Sequence, residues 1–141
     1  IPILISGTGQ PLDVGRTRRH FTRRQRIALA ARDGGCRWAG CERPPSWTEA
    51  HHINPWHSDH GRTDVADGIL LCRHHRLLVH NNGWRIRRRA ARPDEPPGDR
   101  YEAIPPPTDA LHADARQTPL DLPSRSEPLR RALRPALVCA V

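Results

Sequence analysis

Cys36-Arg37-Trp38-Ala39-Gly40-Cys41, followed further along the chain by Cys72-Arg73-His74-His75, decides how this protein folds. Each pair has knuckle spacing, in which a tight turn brings two soft ligands to one ion, and together the pairs complete a tetrahedral Cys3His zinc site. Three of the four cysteines and seven of the nine histidines fall between positions 36 and 80. Such a staple is needed, because 36% of the 141 residues are hydrophobic, with one Phe, one Tyr and 15 Pro, too little for a large apolar core. A structural zinc supplies folding free energy directly. Nothing in the sequence points to an oxidising compartment, so the cysteines read as metal ligands rather than disulfides.

Upstream of the first knuckle, Thr22 and Gln25 form a capping-box pattern, and Ile27, Ala28, Ala30 and Ala31 give a weakly apolar helix over about residues 22–33 that Gly34-Gly35 stops. Downstream, residues 47–53 read as a strand, 55–63 as a polar loop and 68–71 as a returning strand. Residues 72–80 read as a second helix, closed by Asn81-Asn82-Gly83. Trp38, Trp47, Trp56 and Trp84 are expected to form the small core. Residues 1–15 open in an apolar stretch without Met and read as the end of a preceding region, so the chain resembles the C-terminal piece of a longer protein. Residues 93–141 hold ten of the fifteen prolines and are expected to be a largely disordered tail. Leu129–Val138 is the one apolar run there, and Cys139 stands alone. The expected class is α+β: a zinc-stapled hairpin and helix preceded by one helix, with residues 16–92 as a basic module whose core spans 34–90.

Length allows one ordinary domain and excludes a two-domain enzyme. No window approaches the roughly 18 consecutive apolar residues of a membrane span, so a soluble, cytoplasmic protein is expected. The formal charge of +8 is unevenly placed: residues 16–92 carry 17 Arg against 6 acids, whereas residues 93–141 carry 6 Arg against 8 acids. A basic segment of this kind fits phosphate binding, with Arg18, Arg19, Arg23, Arg87 and Arg88 as the expected contacts and DNA, or alternatively RNA, as the partner. All 23 basic residues are Arg and none is Lys, so part of the excess reflects a GC-rich genome.

His51-His52 is the second cluster. Adjacent strand residues point to opposite faces, so one imidazole can bind a metal while the other faces solvent or substrate. His80, near the end of the second helix, can reach back as a further ligand.

These residues together resemble a known family. The pattern Cys36-x4-Cys41, then Glu49-Ala50-His51-His52-Ile53-x-Pro55-Trp56, then Thr63-Asp64-x2-Asp67-Gly68-Ile69-Leu70-Leu71-Cys72-x2-His75-x4-His80, resembles the HNH (ββα-metal) endonuclease motif with its zinc-binding cysteines. It is most similar to the HNH module that ends actinobacterial proteins of the DUF222 (13E12 repeat) family. The match covers about residues 34–84, and Ser6–Gly15 resembles the linker before that module. The resemblance implies that Cys36, Cys41, Cys72 and His75 hold structural zinc. It further implies that His52 is the general base and that His51 and His80 bind a divalent catalytic metal (Mg2+, Mn2+, Ni2+ or Zn2+). Two positions depart from the pattern. Asp67 stands for the middle Asn as the catalytic-loop residue, and Arg76 stands where many such modules place another metal-binding His, which leaves the metal weakly held or puts a guanidinium on the phosphate. His57, His60 and His74 are near enough to compensate. The implied activity is a metal-dependent DNA endonuclease; the alternative is a zinc-stabilised nucleic-acid-binding module whose nuclease site has decayed.

Overall fold

The computed structural model describes residues 12–58, 60–95, 100–107 and 118–126. Helix α1 (Arg23–Asp33) starts where the capping box places it: the Gln25 amide donates to Thr22 Oγ1 at 3.2 Å, and the Thr22 amide donates to Gln25 Oε1 at 2.8 Å. The same buried Gln25 side chain donates through Nε2 to the carbonyls of Leu12 and Thr63, at 2.7 and 2.6 Å, so one residue caps the helix and ties two loops to it. Gly34, at φ 72°, ends α1 in the left-handed region.

Strands β1 (Thr48–His52) and β2 (Gly68–Cys72) form an antiparallel hairpin in which Thr48 faces Cys72 and His52 faces Gly68. All five residues of β2 are buried, because the strand lies between two apolar clusters. Leu70 points to α1 and packs with Leu12, Phe21, Leu29 and Val65. Ile69 and Leu71 point the other way, into a cluster with Cys36, Cys72, Ile86, Tyr101, Ala103 and Leu122. Buried Asp33 links the two sides: it accepts from the Leu70 amide at 2.9 Å and pairs with Arg32 at 2.7 Å and Arg37 at 3.3 Å. Helix α2 (Arg73–Asn81) follows β2 directly and packs on the hairpin.

The remaining strands correct two expectations. The arginine run is strand β3 (Arg85–Arg89), and it pairs antiparallel with β4 (Arg100–Ile104), which in turn pairs with β5 (Leu120–Asp121). Within residues 93–141, where a disordered tail was expected, residues 100–104 and 120–121 are thus strands of a sheet. The prolines flank these strands (Pro105, Pro106 and Pro107 after β4, Pro119 and Pro123 around β5), where no ladder hydrogen bond is lost. Tyr101, Ala103 and Leu122 are buried, and the Tyr101 hydroxyl donates to the Ala66 carbonyl at 2.7 Å. Arg37 donates from Nε and Nη2 to the Leu122 carbonyl at 3.0 and 2.6 Å, which fastens the last strand region to the first knuckle. The ordered core therefore extends beyond residues 34–90, from Leu12 to Leu122. Residues 1–11, Leu129–Val138 and Cys139 lie outside the described residues. Among the described residues no helix is long and apolar enough to cross a membrane.

Candidate metal centre

The first knuckle closes on itself through the Cys41 amide, which donates to the Trp38 carbonyl at 2.9 Å, and is held to the hairpin by the Arg37 amide, which donates to the Leu70 carbonyl at 3.0 Å. Cys72 is the last residue of β2 and the N-cap of α2, so one turn of helix presents His75 beside it. The ligand atoms of Cys36, Cys41, Cys72 and His75 all lie within 4.8 Å of one another. His75 Nδ1 stands 3.4 Å from Cys36 Sγ and 3.2 Å from Cys72 Sγ. Tetrahedral zinc with Zn–S of about 2.3 Å and Zn–N of about 2.0 Å separates its ligand atoms by about 3.5–3.8 Å, so the four residues fit that ion. The cluster can hold a metal such as zinc. Burial pushes the Cys36 thiol up to about 12, so a thiolate there needs a cation. Trp38 stacks on His75 with centroids 4.8 Å apart and 4° between planes, and meets Trp84 edge-on at 5.1 Å, so these two tryptophans seal the centre. Trp47 does not join the core as expected: it is 65% exposed, beneath Arg43 at 5.2 Å.

On the hairpin's open side lies a cleft of about 1310 Å³ whose lining includes His51, His52, Arg76 and His80 together with Arg19, Arg26, Arg85 and Arg87. Strand alternation divides the two neighbouring histidines. His51 turns toward α2, where its ring centroid is 5.0 Å from that of His80. His52 turns toward α1, with its centroid 4.6 Å from Phe21 and 5.9 Å from Trp56. Gly68, opposite His52, makes this approach possible, since a Cβ there would stand 2.7 Å from Phe21 Cζ. Burial lowers the His51 pKa to about 4, helped by the positive character of His80, Arg76 and His52. Burial, then Arg19 and His20, lowers that of His52 from 6.5. Both rings are therefore neutral near pH 7 and present lone pairs that a metal or a hydrogen-bond donor can meet.

Arg76 and Asp67, the two departures from the motif that the chain resembles, have clear positions. Arg76 Nη1 lies 3.3 Å from Glu49 Oε2 at the cleft wall. Asp67 is outside the cleft lining: its carbonyl accepts from the Ile53 amide at 2.9 Å, joining the ends of the hairpin strands, and its carboxylate faces Arg88 at 3.4 Å. Of the arginines expected to meet phosphate, Arg19 lines the cleft, as does Arg87, which pairs with Glu102 at 2.5 Å. Arg88 is turned away to the Ala66 carbonyl at 2.6 Å, and Arg18 and Arg23 are exposed outside the cleft. Arg26, from the basic cluster at the start of α1, and Arg85, which opens the basic run after Trp84, also enter the wall because α1 and β3 flank the hairpin. Of the three histidines proposed to compensate for Arg76, only His57 lines the cleft.

The chain is similar to mycobacterial proteins of much greater length. Uncharacterized proteins of Mycobacterium bovis and Mycobacterium tuberculosis are each 40% identical to it over 98 residues, which is 70% of this chain and 20% of theirs. Another uncharacterized protein of Mycobacterium tuberculosis is 36% identical over 105 residues, 74% of this chain and 21% of its own. The chain thus spans about one fifth of the length of the curated relatives it matches. No family model and no solved structure matches it.

Proposed function

We propose that this chain is a nuclease module of the HNH (ββα-metal) type, which hydrolyses phosphodiester bonds in DNA and leaves 5′-phosphate ends. The observation that carries the proposal is the meeting of His51, His52 and His80 in one cleft walled by Arg19, Arg26, Arg85 and Arg87, beside a zinc-competent Cys3His cluster. The arginines hold backbone phosphates, which gives affinity with little base readout. His52 takes a proton from the attacking water. His51 and His80 would hold a divalent cation, which when bound supplies positive charge to the phosphate and the departing 3′ oxygen. Incubation of supercoiled plasmid with the protein and Mg2+, Mn2+ or Ni2+, against EDTA, tests the activity. The second reading, a nucleic-acid-binding module with a decayed nuclease site, is favoured by the Arg76–Glu49 ion pair at the cleft wall and is selected by binding without cutting.

Arg76→His tests that ion pair's place in the chemistry. Position 76 is one helical turn before His80, so an imidazole there joins His51 and His80 as a ligand. The expected result is a roughly tenfold or greater drop in the metal concentration for half-maximal cleavage, the scale on which changes around a metal act. Loss of cleavage at saturating metal would instead assign Arg76 to the phosphate.

The pH profile carries a further expectation. A histidine base works only when neutral, so cleavage falls as pH drops through its pKa. Burial and the positive charges of Arg19 and His20 hold the His52 value below 6.5, and a cation at His51 shifts it the same way. The acid limb of the rate profile is therefore expected below pH 6.5, and a midpoint near 8 would exclude His52 as the base.

A further inference from the structure

The loop that joins β1 to β2 brings Thr63 under His52, and Thr63 is 0% exposed. Its main chain is used on both sides: the amide donates to the Gly15 carbonyl at 2.7 Å, and the carbonyl accepts from Gln25 Nε2 at 2.6 Å. The main chain of Thr63 is thus held at both ends. The hydroxyl oxygen lies 3.0 Å from His52 Nε2 and 3.4 Å from the Arg19 carbonyl oxygen. A hydroxyl has one proton to give, and a carbonyl can only accept. With its proton turned to the Arg19 carbonyl, Thr63 Oγ1 accepts from His52, an arrangement that has the ring proton on Nε2 and Nδ1 bare. Among the described residues Nδ1 has no hydrogen-bond partner, and it is not one of the buried unsatisfied atoms, so it is open to water. Phe21 and Trp56, with centroids 4.6 and 5.9 Å from the imidazole, flank the ring so placed.

We propose that Thr63 is a positioning residue that holds His52 as the Nε2-protonated tautomer and so makes Nδ1 the proton acceptor. The tautomer stands on the geometry alone; its catalytic consequence rests on the nuclease proposal above. In the hydrolysis, the water oxygen bonds to phosphorus as its proton passes to Nδ1. The bond from phosphorus to O3′ breaks, and O3′ leaves with the electron pair and takes a proton from solvent. A ring protonated on Nδ1 offers the water a donor instead of a lone pair and cannot do this.

Thr63→Val keeps the shape and removes the acceptor, while Thr63→Ser keeps the hydroxyl. In the full chain with 15N-labelled histidine, the His52 ring nitrogens, assigned from the signals lost in His52→Gln, are expected to report the Nε2-protonated tautomer. Thr63→Val is expected to give a mixture of tautomers and Thr63→Ser to restore the single form. The plasmid-nicking rate at saturating metal is expected to drop at least about tenfold in Thr63→Val, part of the about 10²–10⁴ that a general base contributes in full, and to recover in Thr63→Ser. Zinc content should not change in either variant. A wild-type His52 protonated on Nδ1, or a Thr63→Val chain with unaltered tautomer, overturns the proposal. So does a Thr63→Val chain that nicks at the wild-type rate. If the wild-type chain does not nick, the nuclease proposal fails, yet the tautomer comparison still decides the role of Thr63.

Discussion

Cys36→Ser is expected to yield a chain that holds no zinc and does not fold. Cys36 is 1% exposed and belongs both to the candidate zinc site and to the larger apolar cluster, so its loss strikes metal and core together. Apparent zinc-binding free energies in small zinc modules are about 10–16 kcal/mol, comparable to the whole stability of an ordinary domain at about 5–15 kcal/mol. Among the described residues the two apolar clusters hold nine and five buried residues, and two of the nine are Cys36 and Cys72 themselves, so burial is too small to replace that contribution. A serine oxygen is a far poorer zinc ligand than a thiolate, and without the ion Cys72 and His75 are left crowded around a polar group at the base of α2. Elemental analysis with far-UV circular dichroism checks the outcome. Zinc-free wild-type protein that keeps its fold would show that burial alone suffices.

His52→Ala is expected to lower cleavage by about 10²–10⁴, the contribution of a positioned general base, while zinc content and DNA affinity stay near the wild-type values. The separation follows from where each property resides. In the proposed nuclease, affinity would come from arginine–phosphate contacts made equally in ground and transition states, whereas proton transfer would stabilise only the transition state. His52 also packs against Phe21, so the alanine variant leaves a small gap beside α1, and its thermal unfolding should be followed alongside. Cleavage at the wild-type rate by a folded His52→Ala chain would assign the water's activation to another residue.

The features legible in the sequence were those set by near neighbours along the chain. The two cysteine knuckles, the Thr22–Gln25 capping box and the glycine stop at Gly34 each depend on residues within a few positions, and α1 forms where they predict. Alternation along β1 separated His51 from His52, but only the packed structure decides which one turns to α2. The second sheet was hidden because its stabilising pairs are distant in sequence and polar. In β3 a single apolar residue, Ile86, faces the core, and the outward arginines are matched across the sheet, Arg87 to Glu102 at 2.5 Å and Arg89 to Asp121 at 2.9 Å. A run of arginines therefore read as a phosphate-binding surface, although cross-strand ion pairs also account for it. Thr63 carried no local signal, since its hydroxyl acquires meaning only once the loop returns beneath His52.

Nicking of supercoiled plasmid by zinc-loaded wild-type and His52→Ala chains side by side, with Mg2+, Mn2+ or Ni2+ added and with EDTA, decides whether His52 is the base of a nuclease. A nuclease with His52 as its base gives open-circular plasmid with the wild-type chain and added metal, and essentially none with EDTA or with the alanine variant. Plasmid bound by both chains and cut by neither, with all three metals, would contradict it.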